Sequence, residues 1–422
     1  MDKFVITGPT PLKGKIAISG SKNAALPLMA AALLGDGTSQ ITNVPSLKDV
    51  FTFNNVIRAT GTTVDFDESA SVLKINPDRL TELVARYDLV RKMRASFYML
   101  GALAGRCGRA RVSLPGGCAW GPRPVDLHLK GMRAMGYDIE LDEGYVIASC
   151  PSDILSGGEF KLDPSSVGAT VNLLLASVLR AEKFVIKNAA REPDVKLLCD
   201  MLAKMGADIE GIGTDTLTIR RVKSLMPVKM DNTPDRIETG TFMVAAAMHP
   251  ESRVTLTGCK SGDLGNFPEI FAKTNVDMEI TGEKITIHAP DEIKPVSIKT
   301  NIFPGFPTDL QAQWSTLMTQ AAGKSVVTDT IYFDRFSYVP ELNRLGADLK
   351  VHKNQVTING KTPLSGASVM STDLRASVSL VLAGMCAEGE IEVLRVYHLD
   401  RGYEKLEEKL NRAGAHVIRA DE

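Results

Sequence analysis

The stretch DVKLLCDMLAKMGADIEGIGTDTLTIRR (194–221) contains the pattern that decides the fold. In its first half, apolar residues recur every three or four positions, which predicts an amphipathic helix with one buried face. These residues are Val195, Leu198, Leu202 and Met205. Gly206 follows the helix, and the alternating apolar positions after it predict a pair of hairpin strands over 207–221.

The same transition recurs six times along the 422 residues. Its anchor is a glycine in five copies and an asparagine in the other. The anchors are Gly61, Gly136, Gly206, Asn275, Gly346 and Gly414. Differences between neighbouring anchors are 75, 70, 69, 71 and 68 residues. Six units of nearly constant length predict a repeat architecture.

Each repeat also contains a helix that is apolar almost all round, such as TVNLLLASVL (170–179). A short strand such as KFVIKN (183–188) follows it, and the amphipathic helix then leads to the next anchor. The predicted fold is therefore α/β, with roughly ββαβα order repeated six times. Because the apolar helices have no polar face, we expect them in the interior with the sheets packed around them.

Composition narrows the function classes. Lys and Arg total 49 and Asp and Glu total 50, so the formal charge is −1, which disfavours a nucleic-acid surface. No apolar run near the start reaches the length that spans a bilayer, and no signal peptide is evident. The six cysteines lack CxxC spacing, which disfavours disulfides and zinc. We expect a cytoplasmic protein without a metal.

The apolar helices begin with polar residues, and a helix N-terminus attracts anions through its unpaired N–H groups and its dipole. Ordinary capping is the simpler interpretation for Ser166, Thr239 and Thr308. It does not explain the cations at three other termini, because a positive charge there needs a compensating anion. These cations are Lys22, Arg94 and Arg375. Six such termini, in two sets of three, predict an anion-binding cleft.

Cys118 lies in the glycine- and proline-rich segment SLPGGCAWGPRP (113–124), which predicts a loop. The nearby cations Arg111 and Arg123 favour a lowered thiol pKa. We therefore expect Cys118 to be reactive. The cysteines in helical or strand contexts are better interpreted as buried hydrophobic residues. These are Cys107, Cys199 and Cys386.

Four charged residues in loops or at helix starts are further candidates. Asp126 either complements the dipole of the helix it begins or contacts a substrate, and both interpretations stay open. Asp309 opens an apolar helix, where desolvation or neighbouring charges could tune it as a general base. Arg335 and Arg401 occupy the same place in the fifth and sixth repeats, which favours bidentate recognition of carboxylate or phosphate.

Several motifs, taken in order, resemble the UDP-N-acetylglucosamine enolpyruvyl transferase family. The resemblance runs from Met1 to beyond Gly414. The motifs are SGSKNAALP (19–27), LPGGCAWGPRPVDLH (114–128), SVGAT (166–170), NAAREP (188–193), PDRIETGTF (234–242), FPTDLQAQ (306–313), TDLRAS (372–377) and DRGYE (400–404). Enolpyruvyl transferases of the shikimate type share the repeats but lack the cysteine loop.

The resemblance implies two inside-out α/β barrel domains, each of three ββαβα-like repeats around buried helices. One domain would comprise residues 22–229, and the other residues 1–21 plus 230–422. The active site would lie in the cleft between them, and this cleft would close on the substrates.

The family reaction transfers enolpyruvyl from phosphoenolpyruvate to the 3′-hydroxyl of UDP-N-acetylglucosamine and releases phosphate, the first committed step of peptidoglycan synthesis. By resemblance, Asp309 is the base, Cys118 is the acid, and Lys22 and Arg401 also act in catalysis. The implied phosphoenolpyruvate ligands are Lys22, Asn23, Arg123, Arg335, Arg375 and Arg401. The implied sugar-nucleotide ligands are Arg94, Arg123, Pro124, Val125, Asp126, Ser165, Ser166, Val167, Gly168, Asp309 and Ile331. Neither a cofactor nor a metal is expected.

Two positions depart from the family pattern. Pro164 follows Asp163 where some members carry a lysine, and Phe333 replaces an acid beside Arg335. Two other functions stay open at this point. One is a shikimate-type transferase, and the other is a non-catalytic paralogue that binds the UDP-sugar and regulates wall synthesis.

Overall fold

The structure of the protein is a computed structural model that describes residues 2–115 and 125–421. The chain forms two compact units. The inserted unit is Gly20–Thr233, and the discontinuous unit is Met1–Ser19 together with Pro234–Glu422. Each unit has its own cluster of buried apolar side chains, so each has its own core.

Helices form both the interior and part of the outside of each unit. The α-helices of the described residues are α1 (Lys22–Ala31), α2 (Lys48–Arg58), α3 (Tyr87–Val90), α4 (Tyr98–Cys107), α5 (Asp126–Met135), α6 (Val167–Ser177), α7 (Pro193–Lys204), α8 (Arg236–Ala247), α9 (Phe267–Ala272), α10 (Gln311–Thr319), α11 (Tyr338–Arg344), α12 (Leu374–Gly384) and α13 (Leu406–Arg412). Short 3-10 helices cover Ala32–Leu34, Arg94–Phe97, Ser261–Leu264, Thr308–Leu310 and Val396–Arg401.

The strands are short and distributed evenly along the chain. In chain order they are β1 (Asp2–Gly8), β2 (Lys13–Ala17), β3 (Ser39–Thr42), β4 (Thr63–Asp67), β5 (Val72–Asn76), β6 (Val84–Ala85), β7 (Arg109–Ser113), β8 (Asp138–Asp142), β9 (Tyr145–Ser149), β10 (Leu155–Lys161), β11 (Ala181–Lys187), β12 (Asp208–Glu210), β13 (Thr216–Arg220), β14 (Lys229–Asp231), β15 (Arg253–Thr257), β16 (Asp277–Thr281), β17 (Lys284–His288), β18 (Ile298–Lys299), β19 (Lys324–Thr328), β20 (Leu349–His352), β21 (Gln355–Asn359), β22 (Ser368–Met370), β23 (Gly389–Leu394) and β24 (Val417–Asp421).

These strands form six four-stranded sheets within the described residues, all with one pairing pattern. In the sheet β6–β7–β9–β8, for example, β6 is parallel to β7, β7 is antiparallel to β9, and β9 is antiparallel to β8. The other sheets are β14–β3–β5–β4, β10–β11–β13–β12, β16–β17–β15–β2, β18–β19–β21–β20 and β22–β23–β1–β24. The predicted six-fold repeat is thus confirmed by the sheets.

The sequence analysis did not predict one strand in each repeat. A strand of two to seven residues precedes each apolar helix, so the repeat order is βββαβα rather than ββαβα. In four repeats this strand pairs with the strand directly after the helix, as β10 does with β11 across α6. The other two repeats exchange partners, because β2 pairs with β15 and β14 pairs with β3. This exchange places β2 in the discontinuous unit and β14 in the inserted unit.

The anchor residues show why the repeat is so regular. All six have positive φ, and they lie where an outer amphipathic helix ends. The angles are 88° at Gly61, 111° at Gly136, 107° at Gly206, 70° at Asn275, 98° at Gly346 and 102° at Gly414. This left-handed conformation favours glycine, and asparagine tolerates it better than most residues. Each anchor therefore ends its helix two or three residues before the next strand begins.

The apolar helices are interior, as their composition predicts. Residues 169–177 of α6 and 237–247 of α8 are buried on every side. Within the inserted unit, α4 packs directly against α6. A Cβ atom at Gly105 of α4 would lie 2.2 Å from the carbonyl oxygen of Leu175, so only glycine allows this approach. The N-terminal ends of these interior helices carry the candidate functional residues.

Candidate active site

A cluster of buried charges in the discontinuous unit surrounds Asp309, in the 3-10 turn Thr308–Leu310 that leads into α10. The two carboxylate oxygens of Asp309 contact different cations. Arg335 Nη1 donates to Oδ1 at 2.8 Å, and Arg375 Nη2 donates to Oδ2 at 3.1 Å. Both arginine side chains are almost fully buried, whereas that of Asp309 is 28% exposed. We call Asp309, Arg335 and Arg375 the aspartate–arginine cluster.

Arg335 is fixed by the segment that precedes it. The side chain of Asp329 accepts hydrogen bonds from the backbone N–H groups of Ile331 and Tyr332 and from the hydroxyl of Thr308. The guanidinium of Arg335 lies 5.4 Å from the centroid of the Tyr332 ring and also donates to Thr308 Oγ1 at 3.2 Å. The loop that carries Ile331 and Arg335 is thereby tied to the turn that carries Asp309.

Arg375 is the second residue of α12, a helix capped by Asp373, whose carboxylate accepts from the backbone N–H groups of Arg375 and Ala376. The guanidinium of Arg375 also donates from Nη1 to the hydroxyl of Tyr403 at 3.1 Å. Its two terminal nitrogens therefore have different partners, one a carboxylate and one a phenol.

The charges of this cluster determine the ionisation of Asp309. Burial alone would raise the pKa of the Asp309 carboxyl, but Arg375 and Arg335 outweigh it and hold the pKa well below the ordinary aspartate value. The same cluster raises the pKa of Arg375, because its attraction to Asp309 exceeds the opposing cost of burial. Asp309 is thus ionised but only weakly basic while both arginines contact it.

Arg401 lies at the end of the 3-10 helix Val396–Arg401 in the same unit. A cation on the last strand fixes that helix, since Arg419 Nη2 lies 2.7 Å from Asp400 Oδ1 and Arg419 Nε lies 2.7 Å from Glu407 Oε1. Two residues beyond Arg401, Tyr403 enters the interior and reaches Arg375. The segment that carries Arg401 is therefore connected to the aspartate–arginine cluster.

In the inserted unit, Lys22 begins α1 and is buried. Its Nζ lies 3.0 Å from Asp49 Oδ2, and the Asp49 side chain is buried as well. The anion expected for a cation at this helix terminus is thus supplied by the chain itself. Asn23 follows on α1 and is partly exposed, and the hydroxyl of Ser21 caps the helix at Ala24 N.

Sequence reasoning missed a buried histidine beside the candidate sugar-nucleotide residues. Asn172 Nδ2 donates to His128 Nδ1 at 2.8 Å, which leaves the proton of the neutral ring on Nε2. Burial, helped by the charge of Arg94, lowers the pKa of His128 to about 3. A Cβ atom at Gly168 would lie 3.3 Å from His128 Nε2. His128 therefore packs against the start of α6 as a neutral ring that accepts from Asn172, and its place in RPVDLH was the available sequence signal.

Other candidates of this unit lie at two helix starts. Ser166 caps α6 by accepting from Ala169 N, as the capping interpretation predicts, and Val167 and Gly168 form its first turn. Val125 precedes α5, and Asp126 begins it with an exposed contact of 3.2 Å to Lys130. Ser165 is partly exposed, and Pro164, which departs from the family pattern, is exposed.

The capping interpretation is wrong at two helices of the discontinuous unit. Thr239 bonds back to the carbonyl of Asp235, and Asp235 itself caps α8 by accepting from Ile237 N and Glu238 N. Thr308 donates to Asp329 instead of capping. Asp235 lies four residues before Thr239, the residue that the sequence analysis interpreted as the cap.

Cys118, Arg123 and Pro124 lie outside the described residues, so the prediction of a reactive thiol stays a prediction. Its neighbour Arg111 lies on β7, stacked 4.5 Å from the centroid of the Tyr145 ring and 3.6 Å from Asp142 Oδ2. Burial raises the pKa of every cysteine that the structure describes. They are Cys107, Cys150, Cys199, Cys259 and Cys386.

This pattern predicts selective alkylation. At neutral pH and limiting iodoacetamide, Cys118 is expected to react about tenfold or more faster than Cys107 or Cys150, because the thiolate is the nucleophile. Cys199 and Cys386, with pKa values raised to about 12, are expected to stay unmodified. Peptide mass mapping over a time course measures the order, and early modification of Cys107 or Cys150 would contradict it.

Two further features concern possible partners. Within residues 2–115 and 125–421, no helix combines the length and the apolar content that crossing a bilayer requires. Over the same described ranges, no group of three or more histidine, cysteine, aspartate or glutamate side chains is placed to hold a metal ion.

Comparisons with known proteins agree on one family. A family profile described as EPSP synthase (3-phosphoshikimate 1-carboxyvinyltransferase) matches residues 6–410. A protein named UDP-N-acetylglucosamine 1-carboxyvinyltransferase from Chloroherpeton thalassium is 50% identical over 420 residues, which cover 99% of this chain and 97% of the relative. A protein of the same name from Desulfosudis oleivorans is 48% identical over 419 residues, covering 99% of each chain.

Two solved structures share the fold. The enolpyruvyl transferase NikO from Streptomyces tendae matches with a TM-score of 0.91 and 25% identity over 99% of both chains. An EPSP synthase from Acinetobacter baumannii matches with a TM-score of 0.78 over the full length of both, and at 19% identity this likeness concerns the fold alone. Together with the six sheets, these likenesses confirm the predicted fold class.

Proposed function

The chain belongs to the enolpyruvyl transferase family described by the EPSP synthase profile, and from this premise we propose that it transfers enolpyruvyl from phosphoenolpyruvate to the 3′-hydroxyl of UDP-N-acetylglucosamine. The observation that carries the choice of acceptor is the shared name of relatives at half identity along almost the entire chain. Phosphate is the second product, and the reaction is the first committed step of peptidoglycan synthesis.

The chemistry has an addition and an elimination. In the addition, the sugar oxygen bonds to C2 of phosphoenolpyruvate, the base takes the hydroxyl proton, and the acid protonates C3. In the elimination, the bond between C2 and the phosphate oxygen breaks, phosphate leaves, and C3 loses a proton. We assign Asp309 as the base and Cys118 as the acid.

The aspartate–arginine cluster supports a way to activate this base. Before substrate binds, the Asp309 carboxylate forms ion pairs with both Arg335 and Arg375. A phosphate or carboxylate that recruits either guanidinium weakens its hold on Asp309, and the pKa of Asp309 then rises toward the range of a useful base. Substrate binding and base activation are thereby the same exchange of ion pairs.

The remaining assignments extend this arrangement. Lys22, Asn23, Arg123 and Arg401 complete the phosphoenolpyruvate site, so that fixed cations stabilise the tetrahedral intermediate. The sugar nucleotide contacts Arg94, Arg123, residues 124–126, residues 165–168, Asp309 and Ile331. We propose that domain 22–229 and domain 1–21 plus 230–422 form the active site in a cleft between them, in a cytoplasmic enzyme without metal or cofactor.

A phosphate-release assay tests the proposal. The purified chain receives phosphoenolpyruvate with either UDP-N-acetylglucosamine or shikimate 3-phosphate. Release that depends on the UDP-sugar supports the proposed function, and release that depends on shikimate 3-phosphate favours the shikimate-type reaction instead. Calorimetric binding of the UDP-sugar with no phosphate release from either mixture would identify a non-catalytic binding protein.

Cys118 provides a second arm of that test. Cys118→Ser is expected to abolish or severely slow turnover, because a serine hydroxyl is a far weaker acid than a thiol. Fosfomycin, a cysteine-directed inactivator of the family, is expected to modify Cys118 of the wild type. Full activity of the serine variant would remove Cys118 from the acid role.

A further inference from the structure

The phenol of Tyr403 lies in the interior of the discontinuous unit, where it touches residues of three central helices. Tyr403 is 2% exposed. Its hydroxyl lies 2.9 Å from Thr241 Oγ1 on α8, 3.2 Å from Gln313 Nε2 on α10 and 3.1 Å from Arg375 Nη1 on α12. Tyr403 belongs to the segment that carries Arg401, and it is not among the residues proposed above to bind substrate or act in catalysis.

The available protons fix the direction of these bonds. The guanidinium of Arg375 and the amide nitrogen of Gln313 can only donate. Thr241 Oγ1 lies 2.8 Å from the carbonyl oxygen of Ile237, and its hydrogen is donated there. The hydroxyl hydrogen of Tyr403 therefore goes to Thr241 Oγ1, and the phenol oxygen presents its lone pairs to Arg375. Tyr403 acts as an acceptor toward the arginine.

This acceptor determines how Arg375 meets Asp309. With Nη1 on Tyr403, Arg375 contacts Asp309 through Nη2 alone. Arginine and carboxylate otherwise favour a bidentate pair with two parallel bonds. Without the phenol oxygen, Nη1 of Arg375 would lose its buried hydrogen-bond partner. Rotation of the guanidinium would then bring Nη1 onto Asp309 as a replacement partner. In a bidentate pair, Arg375 and Asp309 would be occupied by each other. Arg375 would then be unavailable to phosphoenolpyruvate, and Asp309 would be unavailable as the proposed base.

We propose that Tyr403, oriented by Thr241, is a positioning residue that keeps Arg375 available to the substrate anion and prevents a bidentate Arg375–Asp309 pair. The inference rests on the proposed function, because it concerns the phosphoenolpyruvate site of that reaction. Gly402 supports the placement of the phenol. A Cβ atom there would lie 2.6 Å from Leu374, so the turn after Arg401 packs tightly onto the start of α12.

Steady-state kinetics of four single variants and one double variant test this role. Tyr403→Phe removes the acceptor and is expected to raise KM for phosphoenolpyruvate about tenfold, the effect of one hydrogen bond to a charged group. KM for UDP-N-acetylglucosamine is expected to stay within about twofold, because Arg375 is the one partner of the Tyr403 hydroxyl that the proposal assigns to a substrate, and that substrate is phosphoenolpyruvate. Thr241→Val is expected to change KM for phosphoenolpyruvate in the same direction. Thr241→Ser retains the hydroxyl and is expected to restore the value lost in Thr241→Val.

The fourth variant, Tyr137→Phe, is the stability control. Tyr137 is a buried tyrosine of the inserted unit, and its hydroxyl donates to the carbonyl of Ala176 at 2.8 Å. Each Tyr→Phe change removes one buried hydroxyl, and the drop in unfolding temperature is expected to be larger for Tyr403→Phe, whose hydroxyl has three partners, one of them charged. Tyr137→Phe is expected to leave both KM values unchanged. A double variant Tyr403→Phe/Thr241→Val no worse than Tyr403→Phe indicates that the two residues act as one unit.

The outcomes separate the two proposals. A wild-type chain that releases no phosphate overturns the proposed function and this positioning role with it. An active wild type whose Tyr403→Phe variant keeps KM for phosphoenolpyruvate within twofold overturns the positioning role alone. So does an equal rise of both KM values, since a purely structural residue would not affect one substrate more than the other.

Discussion

Asp309→Asn is expected to lower kcat about a thousandfold, because general-base catalysis contributes roughly that factor and the amide cannot accept the sugar proton. The substitution also leaves Arg335 and Arg375 without the carboxylate that each contacts. Steady-state phosphate release measures the loss. A variant that retains more than a tenth of the wild-type kcat would exclude Asp309 as the base.

The same variant has a predictable effect on stability. Removing one partner of a buried ion pair costs about 3 kcal/mol, and Asp309 contacts two buried arginines. The folded-state pKa of Asp309 is below its unfolded value, so its stabilisation is complete above the unfolded pKa and is lost as pH falls toward the folded one. The difference in unfolding free energy between wild type and variant is therefore expected to be constant near neutral pH and to shrink in acid.

An exposed ion pair provides the control. Asp36 lies 3.3 Å from Arg106, and its side chain is 66% exposed. Asp36→Asn makes the same chemical change as Asp309→Asn but is expected to cost at most about 0.5 kcal/mol and to leave kcat unchanged. A comparable loss in both variants would indicate a general effect of charge removal.

Arg375→Met is expected to reduce kcat/KM for phosphoenolpyruvate about a thousandfold. Arg375 contributes two charge-assisted hydrogen-bonding nitrogens, and each such bond is worth about 2 kcal/mol. Methionine fills part of the same volume without the charge, so the loss reports on anion binding. Arg375→Lys is expected to remain at least tenfold impaired, because an ammonium group cannot bridge Tyr403 and Asp309 as the planar guanidinium does.

The combination of the two changes tests the cluster itself. Asp309→Asn/Arg375→Met removes opposite charges together and is expected to be more stable than the sum of the single losses predicts, while its activity stays at or below that of either single variant. Strict additivity of the unfolding free energies would show that Asp309 and Arg375 do not interact. Near wild-type KM for phosphoenolpyruvate in Arg375→Met would remove this arginine from the substrate site.

Much of the fold was predictable because its repeat depends on local requirements. Each anchor needs a residue that accepts positive φ, and five glycines and Asn275 provide it. The apolar helices are identified by composition alone. The strands before them were missed, and two of them, β6 and β18, have only two residues each, which is too short for a periodic pattern. The exchange of β2 and β14 depends on pairing between distant strands, which local patterns do not encode.

The sequence predicted that cations at helix starts would have anionic partners, but it did not identify those partners. A cation at a helix start requires an anion, and Lys22 and Arg375 both have one. In the structure these anions are Asp49 and Asp309, carboxylates of the chain itself. The requirement for an anion is therefore met at Lys22 and Arg375, whereas the predicted anion-binding cleft and the ligand that replaces these carboxylates stay predictions.

Polar residues inside apolar helices were the main omission. Thr241 and Gln313 lie within interior helices and read as minor interruptions of an apolar pattern. Tyr403 lies two residues after Arg401, and its sequence context is that of an ordinary core residue. Their connection becomes visible only in the fold, where Thr241, Gln313 and Arg375 all lie within hydrogen-bond distance of the Tyr403 hydroxyl. Such a relay has no spacing in the sequence that could reveal it.

The central claim is that substrate anions take Arg335 and Arg375 from Asp309 and so make it basic. A pH titration by ¹³C NMR of protein labelled at aspartate Cγ tests it directly, with Asp309→Asn assigning the resonance. In the free protein, the Asp309 signal is expected not to titrate between about pH 4 and pH 8, since its pKa is held below the ordinary value. With phosphoenolpyruvate bound, a titration is expected to enter that window. An Asp309 signal that is unchanged by phosphoenolpyruvate at saturating concentration would contradict the claim.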